Sequence, residues 1–381
     1  MTYELTQEQE ILRETIRDFS QNEIAPLASK IDWECLVPSE LFAKLPQLGL
    51  FGISVPSELG GAGADFLSLL IAVEEVSRAS GSLGAQLAFH NAVVCEALAS
   101  SQNSKLREGM LPKLASGSLG AFDFSTLREE NNKNKQVLCR IEGAELIVNG
   151  QSNYVMNAAS ANFFLVLGRL PSKSEQVLFA FSKDGVSEKE FTVGEPKKLL
   201  GMRAAGAAEI SFNELKLPFE AIVYDLEKVK PALGQLLART DLALAAVALG
   251  ITQASVDASV KYANERMQFN TKIGNFYAVQ DMIASDAVDL ETARSLTYLT
   301  AQEIKSSPSL ERDSAIAKVA SSNAAVKASR HAIRVHGGYG FTRDYPVERY
   351  ARDARFAQIY FESNEELKAK IAKSLLGQSP S

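Results

Sequence analysis

The spacing of apolar residues changes twice along this chain, and that change constrains the fold more than any single residue does. From Thr6, where Gln9 completes a capping-box pattern, apolar residues first recur at helical spacing. They then stand in short runs rich in branched and aromatic side chains, broken by Gly, Pro, Asn and Ser, before helical spacing returns. We therefore expect a multi-domain protein of α and β structure. The expected domains are helical over 1–120, β over 121–228 and helical over 229–381.

Composition and charge limit the classes of binding partner and the cellular compartment that we expect for this protein. A chain of 381 residues with 46% hydrophobic residues is long enough for two or three domains with a substantial core. A net charge of −6 without a basic run argues against nucleic-acid and membrane partners. We also expect no apolar stretch of membrane-spanning length and no leader peptide, which favours the cytoplasm. Cys35, Cys95 and Cys139 lack the spacing of a disulfide framework or a metal site.

Five short motifs follow one another along the chain. They are P-S-E-L-G-G-A-G at 56–63, L-G-M-R-A-A-G at 200–206, E-R-M-Q-F at 265–269, G-G-Y-G-F-T-R-D-Y-P at 337–346 and R-F-A-Q-I-Y-F-E-S-N-E at 355–365. Their order resembles that of the acyl-CoA dehydrogenase family. The resemblance implies an N-terminal helical domain, a β-barrel-like middle domain and a C-terminal helical bundle. It also implies an FAD-dependent oxidoreductase that acts on acyl thioesters as a homodimer or homotetramer. Its electron acceptor would be an electron-transfer flavoprotein or oxygen.

Five of the residues expected to hold FAD fall in two of these motifs. FAD carries an anionic pyrophosphate and flat rings, so it needs a cation, backbone N–H donors and packing surfaces. By resemblance, Arg266 reaches the pyrophosphate across a subunit interface, and Gln268 and Phe269 pack beside the cofactor. Gly337 and Gly338 suit close approach of the backbone to a ligand, because glycine lacks a Cβ atom and admits positive φ. A turn without a ligand is the alternative interpretation of the glycine pair.

A second capping-box pattern near the C-terminus predicts another helix start. Ser363 is its N-cap and Glu366 its third helical residue. The free N–H groups of such a helix suit an acceptor-rich cofactor. By resemblance, Ser363 and Glu365 contact FAD there, although capping alone would explain the serine. Tyr154 takes the place of a family tryptophan beside the flavin ring, whereas an aromatic residue on a strand more often belongs to the core.

The resemblance fails at the catalytic base. Removal of an α-proton from an acyl thioester needs a positioned base, usually a carboxylate, and in this register the family's glutamate falls on Phe361. An alternative base position used by some members is Thr240. Three explanations for the missing catalytic base stay open. Glu362 enters through a changed loop, Asp241 acts from the neighbouring helix, or the reaction needs no α-proton removal. The structural alternatives are that Glu362 is an exposed acid before a helix, and that Asp241 pairs with Arg128 or Arg334.

Other departures cluster where flavin and substrate would meet. The family's thioester loop corresponds to 124–132, where Phe124 and the hydroxyl of Ser125 are the expected flavin contacts and charges such as Arg128 replace the glycines. Arg334 replaces a family glutamine in the cofactor site. These changes resemble carrier-protein-directed members that make aminomalonyl or hydroxymalonyl units for polyketides and nonribosomal peptides. A desaturase with a relocated base and a flavin-binding pseudoenzyme are the alternatives.

Overall fold

The computed structural model describes residues 3–127, 136–170 and 175–378. Its first part is helical, and the capping box predicted at Thr6 and Gln9 is present. The helices are α1 Gln7–Phe19, α2 Ala28–Glu34, α3 Ser39–Phe42, α4 Phe66–Ala79, α5 Gly81–Phe89, α6 Glu96–Ala99 and α7 Ser104–Ala115. A π-helical turn over His90–Cys95 joins α5 to α6. Almost every side chain of α4 and α5 is buried, because these helices pack against each other and against the long helix Leu226–Glu265.

The middle of the chain is one seven-stranded sheet with the order β1-β4-β2-β3-β7-β6, and β5 pairs with β4. The strands are β1 Gly120–Asp123, β2 Leu138–Glu142, β3 Glu145–Val155, β4 Phe163–Leu170, β5 Glu175–Ser182, β6 Phe191–Val193 and β7 Ala208–Pro218. β1 and β4 run parallel, whereas β3 and β7 are antiparallel with two register shifts. Such irregularities increase the local twist, so the sheet curls.

The last part of the chain is again helical. It contains α8 Leu226–Glu265, the short hairpin β8 Met267–Gln268 and β9 Thr271–Lys272, α9 Tyr277–Gln302, α10 Leu310–His336, α11 Val347–Ile359 and α12 Asn364–Leu375. The alanine-rich segments predicted as helices lie in α8 and α10. The order of helices, curled sheet and helices confirms the predicted fold class.

α8 corrects one expectation from the sequence. We expected no apolar stretch of membrane-spanning length, but α8 has 40 residues, and an 18-residue window within it has a mean hydropathy of 1.4. Of that window, 72% is buried inside the protein. The apolar composition of α8 therefore matches its place as a core helix. The spacing of apolar residues in the sequence does not distinguish a buried core helix from a membrane-spanning helix.

Candidate active site

The first candidate site is a cavity of about 440 Å³ among the C-terminal helices, named here the C-terminal cavity. α8 ends at Glu265, so Arg266 follows at its C-cap and Gln268 stands on β8. The turn after α10 brings Gly337 and Gly338 to the same cavity. The structure thus gathers four of the predicted cofactor residues around one space.

The geometry of Gly337 fits a ligand with phosphate oxygens. Its backbone has φ 60° and ψ −136°, a conformation that residues with a side chain rarely adopt. A Cβ atom built at Gly337 or Gly338 would meet nothing within 4 Å, so the space beside this backbone is open. The Arg266 guanidinium lies 5.6 Å from the ring centroid of Tyr339 and supplies a cation in the same cavity. A cation beside open backbone is what a pyrophosphate requires.

Aromatic rings supply the packing surface of the C-terminal cavity. His336 stacks on Tyr262 with ring centroids 4.2 Å apart. The His336 Nδ1–H donates to the carbonyl oxygen of Ala332 at 2.8 Å, and burial lowers the pKa of this histidine. Two residues predicted beside these motifs do not line the C-terminal cavity: Phe269 is 89% exposed, and Arg334 is exposed on α10. Their contact with FAD stays a prediction.

The second candidate site is a cavity of about 240 Å³ between the sheet and the end of α11, named here the aromatic cavity. Phe124, Ser125 and Tyr154 line it, and so does Phe361. Tyr154, the next-to-last residue of β3, has a left-handed φ of 58° and is 58% exposed, so it is not the core residue that a strand aromatic usually is. The two cavities share no lining residue.

Phenylalanine rings fill the place where a carboxylate base was expected. The Phe361 ring lies 5.7 Å from that of Phe122 and 6.2 Å from that of Phe124, between centroids. Behind them, Phe89 lies 5.4 Å from Phe122 and 5.3 Å from Tyr360. The backbone of Phe361 has a left-handed φ of 69°, which is costly for a residue with a side chain. This apolar wall cannot remove a proton, and it narrows the space for an acyl chain.

A buried lysine holds the backbone on both sides of Phe361. Lys318 of α10 donates to the carbonyl oxygen of Tyr360 at 3.2 Å and to that of Glu362 at 2.6 Å. Its ammonium also lies 3.3 Å from Asp241 Oδ1. Burial raises the pKa of the Asp241 carboxyl above its usual range, and the Lys318 ammonium opposes that rise. Asp241 therefore supports the segment that carries Phe361.

These contacts correct two expectations about the carboxylates. Pairing with Arg128 or Arg334 was the alternative to a catalytic role for Asp241. The structure instead pairs Asp241 with Lys318, and Arg128 lies outside the described residues. Asp241 is fully buried and lines neither cavity, so it is not placed to act as a base. Sequence reasoning missed Lys318 because a lysine on an alanine-rich helix is usually a solvated residue.

Glu362 is not the exposed acid that its position before a helix suggested. Its side chain is 22% exposed, and its carboxylate lies 3.6 Å from the ammonium of Lys370 on α12. Glu362 is not among the described residues that line the aromatic cavity. As placed, neither candidate base from the sequence reaches the cavity.

The predicted start of α12 is present as a capping box. The Ser363 hydroxyl accepts from the Glu366 N–H, and the Glu366 carboxylate accepts from the Ser363 N–H. Capping therefore uses the hydroxyl of Ser363. Glu365 is exposed, and neither residue lines the two cavities. The predicted contact of this helix start with FAD stays a prediction.

The structure adds an acid that the sequence reasoning did not single out. Asp123, the last residue of β1, is 4% exposed and lines the aromatic cavity. The signal was an acid between Phe122 and Phe124 in an otherwise apolar strand, because a buried carboxylate needs partners. Across the described ranges, no group of three His, Cys, Asp or Glu side chains could hold a metal ion.

Comparison with known proteins defines the class to which this fold and these cavities belong. Residues 6–118 match the acyl-CoA dehydrogenase N-terminal domain, and residues 232–376 match the C-terminal domain. The chain belongs to the acyl-CoA dehydrogenase family. It is therefore an FAD-dependent oxidoreductase.

Particular relatives span the whole chain. The short-chain specific acyl-CoA dehydrogenase of Clostridium acetobutylicum is 32% identical over 98% of this chain and 99% of that protein. The butyryl-CoA dehydrogenase structure from Megasphaera elsdenii superposes with a TM-score of 0.92 at 27% identity, covering 99% of this chain and 100% of that one. The prolyl acyl carrier protein oxidase AnaB has a TM-score of 0.90 at 22% identity over 98% of this chain and 100% of that one. At that identity the AnaB likeness shows the fold alone.

Proposed function

We propose that this protein oxidises a short, polar β-aldehyde thioester to the carboxylate while the acyl group is tethered to a carrier protein. The products would be extender units of the aminomalonyl or hydroxymalonyl type, made in the cytoplasm. One observation carries the proposal: Phe361 and its neighbouring rings occupy the place of the α-proton base. A family scaffold without that base needs a reaction that does not use it.

Oxidation of an aldehyde hydrate meets this requirement. The C–H bond that breaks is on the aldehyde carbon, so no proton has to leave the α-carbon. FAD, when bound, supplies the hydride acceptor. The residues of this chain would have to hold the hydrate against the flavin and accept a proton from oxygen. An apolar wall at Phe361 does not hinder either task.

The size of the aromatic cavity supports a short acyl group. Its volume is about 240 Å³, and Phe122, Phe124 and Phe361 take much of the space beside it. The relatives named for short-chain and butyryl substrates agree with this class. A long alkyl chain would have to displace packed rings, and overpacking a dense apolar core is costly.

The carrier protein is the finer part of the proposal. The family's thioester loop is replaced at 124–132 by a charged sequence, of which residues 128–132 lie outside the described residues. A phosphopantetheine arm brings no adenosine, so a loop adapted to CoA would be dispensable. The similarity to AnaB supports the fold and does not support a carrier-protein substrate.

We further propose that two copies complete one FAD site. The cation and the open glycine backbone line the C-terminal cavity, whereas Tyr154 and Ser125 line the aromatic cavity, and no residue is shared. A homodimer, alone or within a homotetramer, would let Arg266 of one copy serve the flavin beside Tyr154 of the other. The electron acceptor would be an electron-transfer flavoprotein or oxygen, which anaerobic and aerobic turnover assays separate.

The test mixes the holoenzyme with a carrier protein loaded with a 3-oxopropionyl thioester and follows flavin absorbance and the intact mass of the carrier. We expect bleaching of the flavin and a mass gain of one oxygen, with the CoA thioester reacting poorly. A loss of two hydrogens from a saturated acyl carrier would instead place the protein among the desaturases. No reduction by either substrate class would favour the pseudoenzyme.

Desaturation with a relocated base is a second candidate, and Glu362 favours it. Its carboxylate is adjacent in sequence to the lost base and lies 3.6 Å from Lys370, beyond hydrogen-bonding distance. A loop rearrangement would be needed to bring it into the aromatic cavity. Rapid bleaching by a simple acyl-CoA that is abolished in Glu362→Gln would support this reading.

A further inference from the structure

One acid lies in the aromatic cavity at the end of β1. Asp123 is the single carboxylate among the described residues that line this cavity, and it is almost completely buried. Burying a carboxylate is costly unless hydrogen bonds compensate, so its partners define what it can do. Its partners include three donor groups, which come from Ser125 and Ser152.

The hydrogen bonds fix the direction in which these hydroxyls point. Asp123 Oδ1 accepts from the Ser125 N–H at 3.0 Å and from the Ser152 hydroxyl at 2.8 Å. Asp123 Oδ2 accepts from the Ser125 hydroxyl at 3.1 Å. An ionised carboxylate only accepts, so the single hydrogen of each hydroxyl is used on Asp123. The Ser125 oxygen lines the cavity and has two lone pairs, of which at most one accepts from the Ser152 hydroxyl at 3.0 Å, so one can accept from another group.

A local turn explains only one of the hydrogen bonds to Asp123. The bond from the Ser125 N–H to Asp123, two residues earlier, is an ordinary Asx turn. Ser152, however, comes from β3, is 1% exposed, and also lies 3.0 Å from Ser125 between hydroxyl oxygens. Two chain segments thus converge on one carboxylate at the wall of the candidate active site.

We propose that Ser125 and Asp123 are the proton route for oxidation of the substrate's hydrate. This inference rests on the proposed function. The substrate O–H donates to Ser125 Oγ, and that O–H bond breaks as the proton passes to Ser125, whose own proton moves to Asp123. The C–H bond of the same carbon breaks with its electron pair, and FAD, when bound, would supply the acceptor for this hydride. A C=O bond forms, which leaves a carboxylic acid, reduced cofactor and protonated Asp123.

The assignment explains how the chain works without a base at position 361. Acyl desaturation needs a base at carbon, whereas hydrate oxidation needs one at oxygen. Ser125 touches the substrate in this scheme and is its catalytic residue, and Asp123 orients Ser125 and receives its proton. Phe361 then only has to exclude water and limit the size of the acyl group.

The experiment compares Asp123→Asn, Ser125→Ala and Ser125→Thr holoenzymes with the unmodified protein. Flavin reduction by the 3-oxopropionyl carrier should fall by about 10²-fold in Asp123→Asn and Ser125→Ala. Ser125→Thr keeps a hydroxyl and should keep most of the rate. FAD content and thermal unfolding show whether each variant is folded.

A binding measurement separates this role from a structural one. Malonyl-pantetheine places a carboxylate where the oxidised carbon would lie, next to the Asp123 charge. By calorimetry, Asp123→Asn should bind it at least about tenfold more tightly than the unmodified protein, because a like-charge repulsion is removed.

The outcomes are distinct. If the unmodified protein oxidises the aldehyde while Asp123→Asn and Ser125→Ala keep its rate, the proton route is wrong and the proposed function stands. Unchanged malonyl-pantetheine affinity in Asp123→Asn also overturns the route. If the unmodified protein does not oxidise the aldehyde, both the proposed function and the proton route are wrong.

Discussion

The Lys318 ammonium lies 3.3 Å from Asp241 Oδ1, and both side chains are completely buried. The same ammonium donates to the carbonyl oxygens of Tyr360 and Glu362. One cation therefore joins α8, α10 and the segment that carries Phe361.

Removing Lys318 alone should be far more damaging than removing the pair. Lys318→Met leaves Asp241 buried without its cation, which should cost about 3–5 kcal/mol in the free energy of unfolding. Lys318→Met combined with Asp241→Leu removes both charges and should recover a large part of that loss. Urea unfolding of the single and double variants measures the difference. Equal stability of the two would show that the ion pair does not hold this region.

Arg266 should decide whether the protein keeps its flavin. Arg266→Ala removes the cation of the C-terminal cavity, and the unpaired pyrophosphate charge should cost about 2–5 kcal/mol of FAD binding, at least a thirtyfold weaker affinity. The flavin-to-protein ratio after gel filtration and the quenching of flavin fluorescence on titration measure this. Arg330→Ala is the matched control, since Arg330 is also an arginine but is exposed on α10 and lines neither cavity. Flavin retained by Arg266→Ala would refute the assignment.

The fold was predictable because it depends on many residues at once. A change of apolar spacing extends over dozens of positions, so the helical and β regions were visible even where single residues mislead. Capping at Thr6 and Ser363 was also predictable, because both halves of each capping box lie within four residues of one another.

Residues of the site were predictable where a motif marks them, but polar pairs that are distant in sequence were not. Gly337 and Gly338 were predictable from their motif, but the partner of Asp241 is Lys318, 77 positions away along the chain. Asp123 and Ser152 meet through the sheet in the same way. Long-range pairs depend on strand order and helix packing, and apolar spacing carries no information about which polar residues face one another.

Replacing Phe361 should test whether the scaffold still supports desaturation. Straight-chain acyl-CoAs should not reduce the flavin of the unmodified protein at a useful rate, because Phe361 offers no base. Phe361→Glu restores a carboxylate at the family position and should raise the rate of reduction, within the roughly 10²–10⁴-fold that a general base supplies. Stopped-flow absorbance with butyryl-CoA measures this rate. Phe361→Gln is the control of similar shape, and an equal gain in both variants would mean that removing the ring, not adding a base, is what matters.

His90 should make the protein sensitive to acid. Its Nε2–H donates to the carbonyl oxygen of Phe51 at 2.8 Å, its Nδ1 accepts from the Gly120 N–H at 3.0 Å, and burial lowers its pKa to about 4. Between about pH 4 and about pH 6.5, the unfolded chain binds a proton at His90 more readily than the folded protein does. The stability contributed by neutral His90 is therefore complete above about pH 6.5 and is lost as the pH falls. The loss should reach about 3 kcal/mol at about pH 4, since each unit of pKa difference is worth about 1.4 kcal/mol.

His90→Gln cannot be protonated and isolates this effect from the other titrating groups. The His90→Gln protein should be less stable than the unmodified protein at about pH 7, because one of the two hydrogen bonds to Phe51 and Gly120 is lost. The gap between the two proteins should narrow or reverse by about pH 4.5, because only the unmodified protein pays the protonation cost. Urea unfolding at both pH values gives the two gaps. Gaps of equal size would mean that His90 is not held neutral in the folded protein.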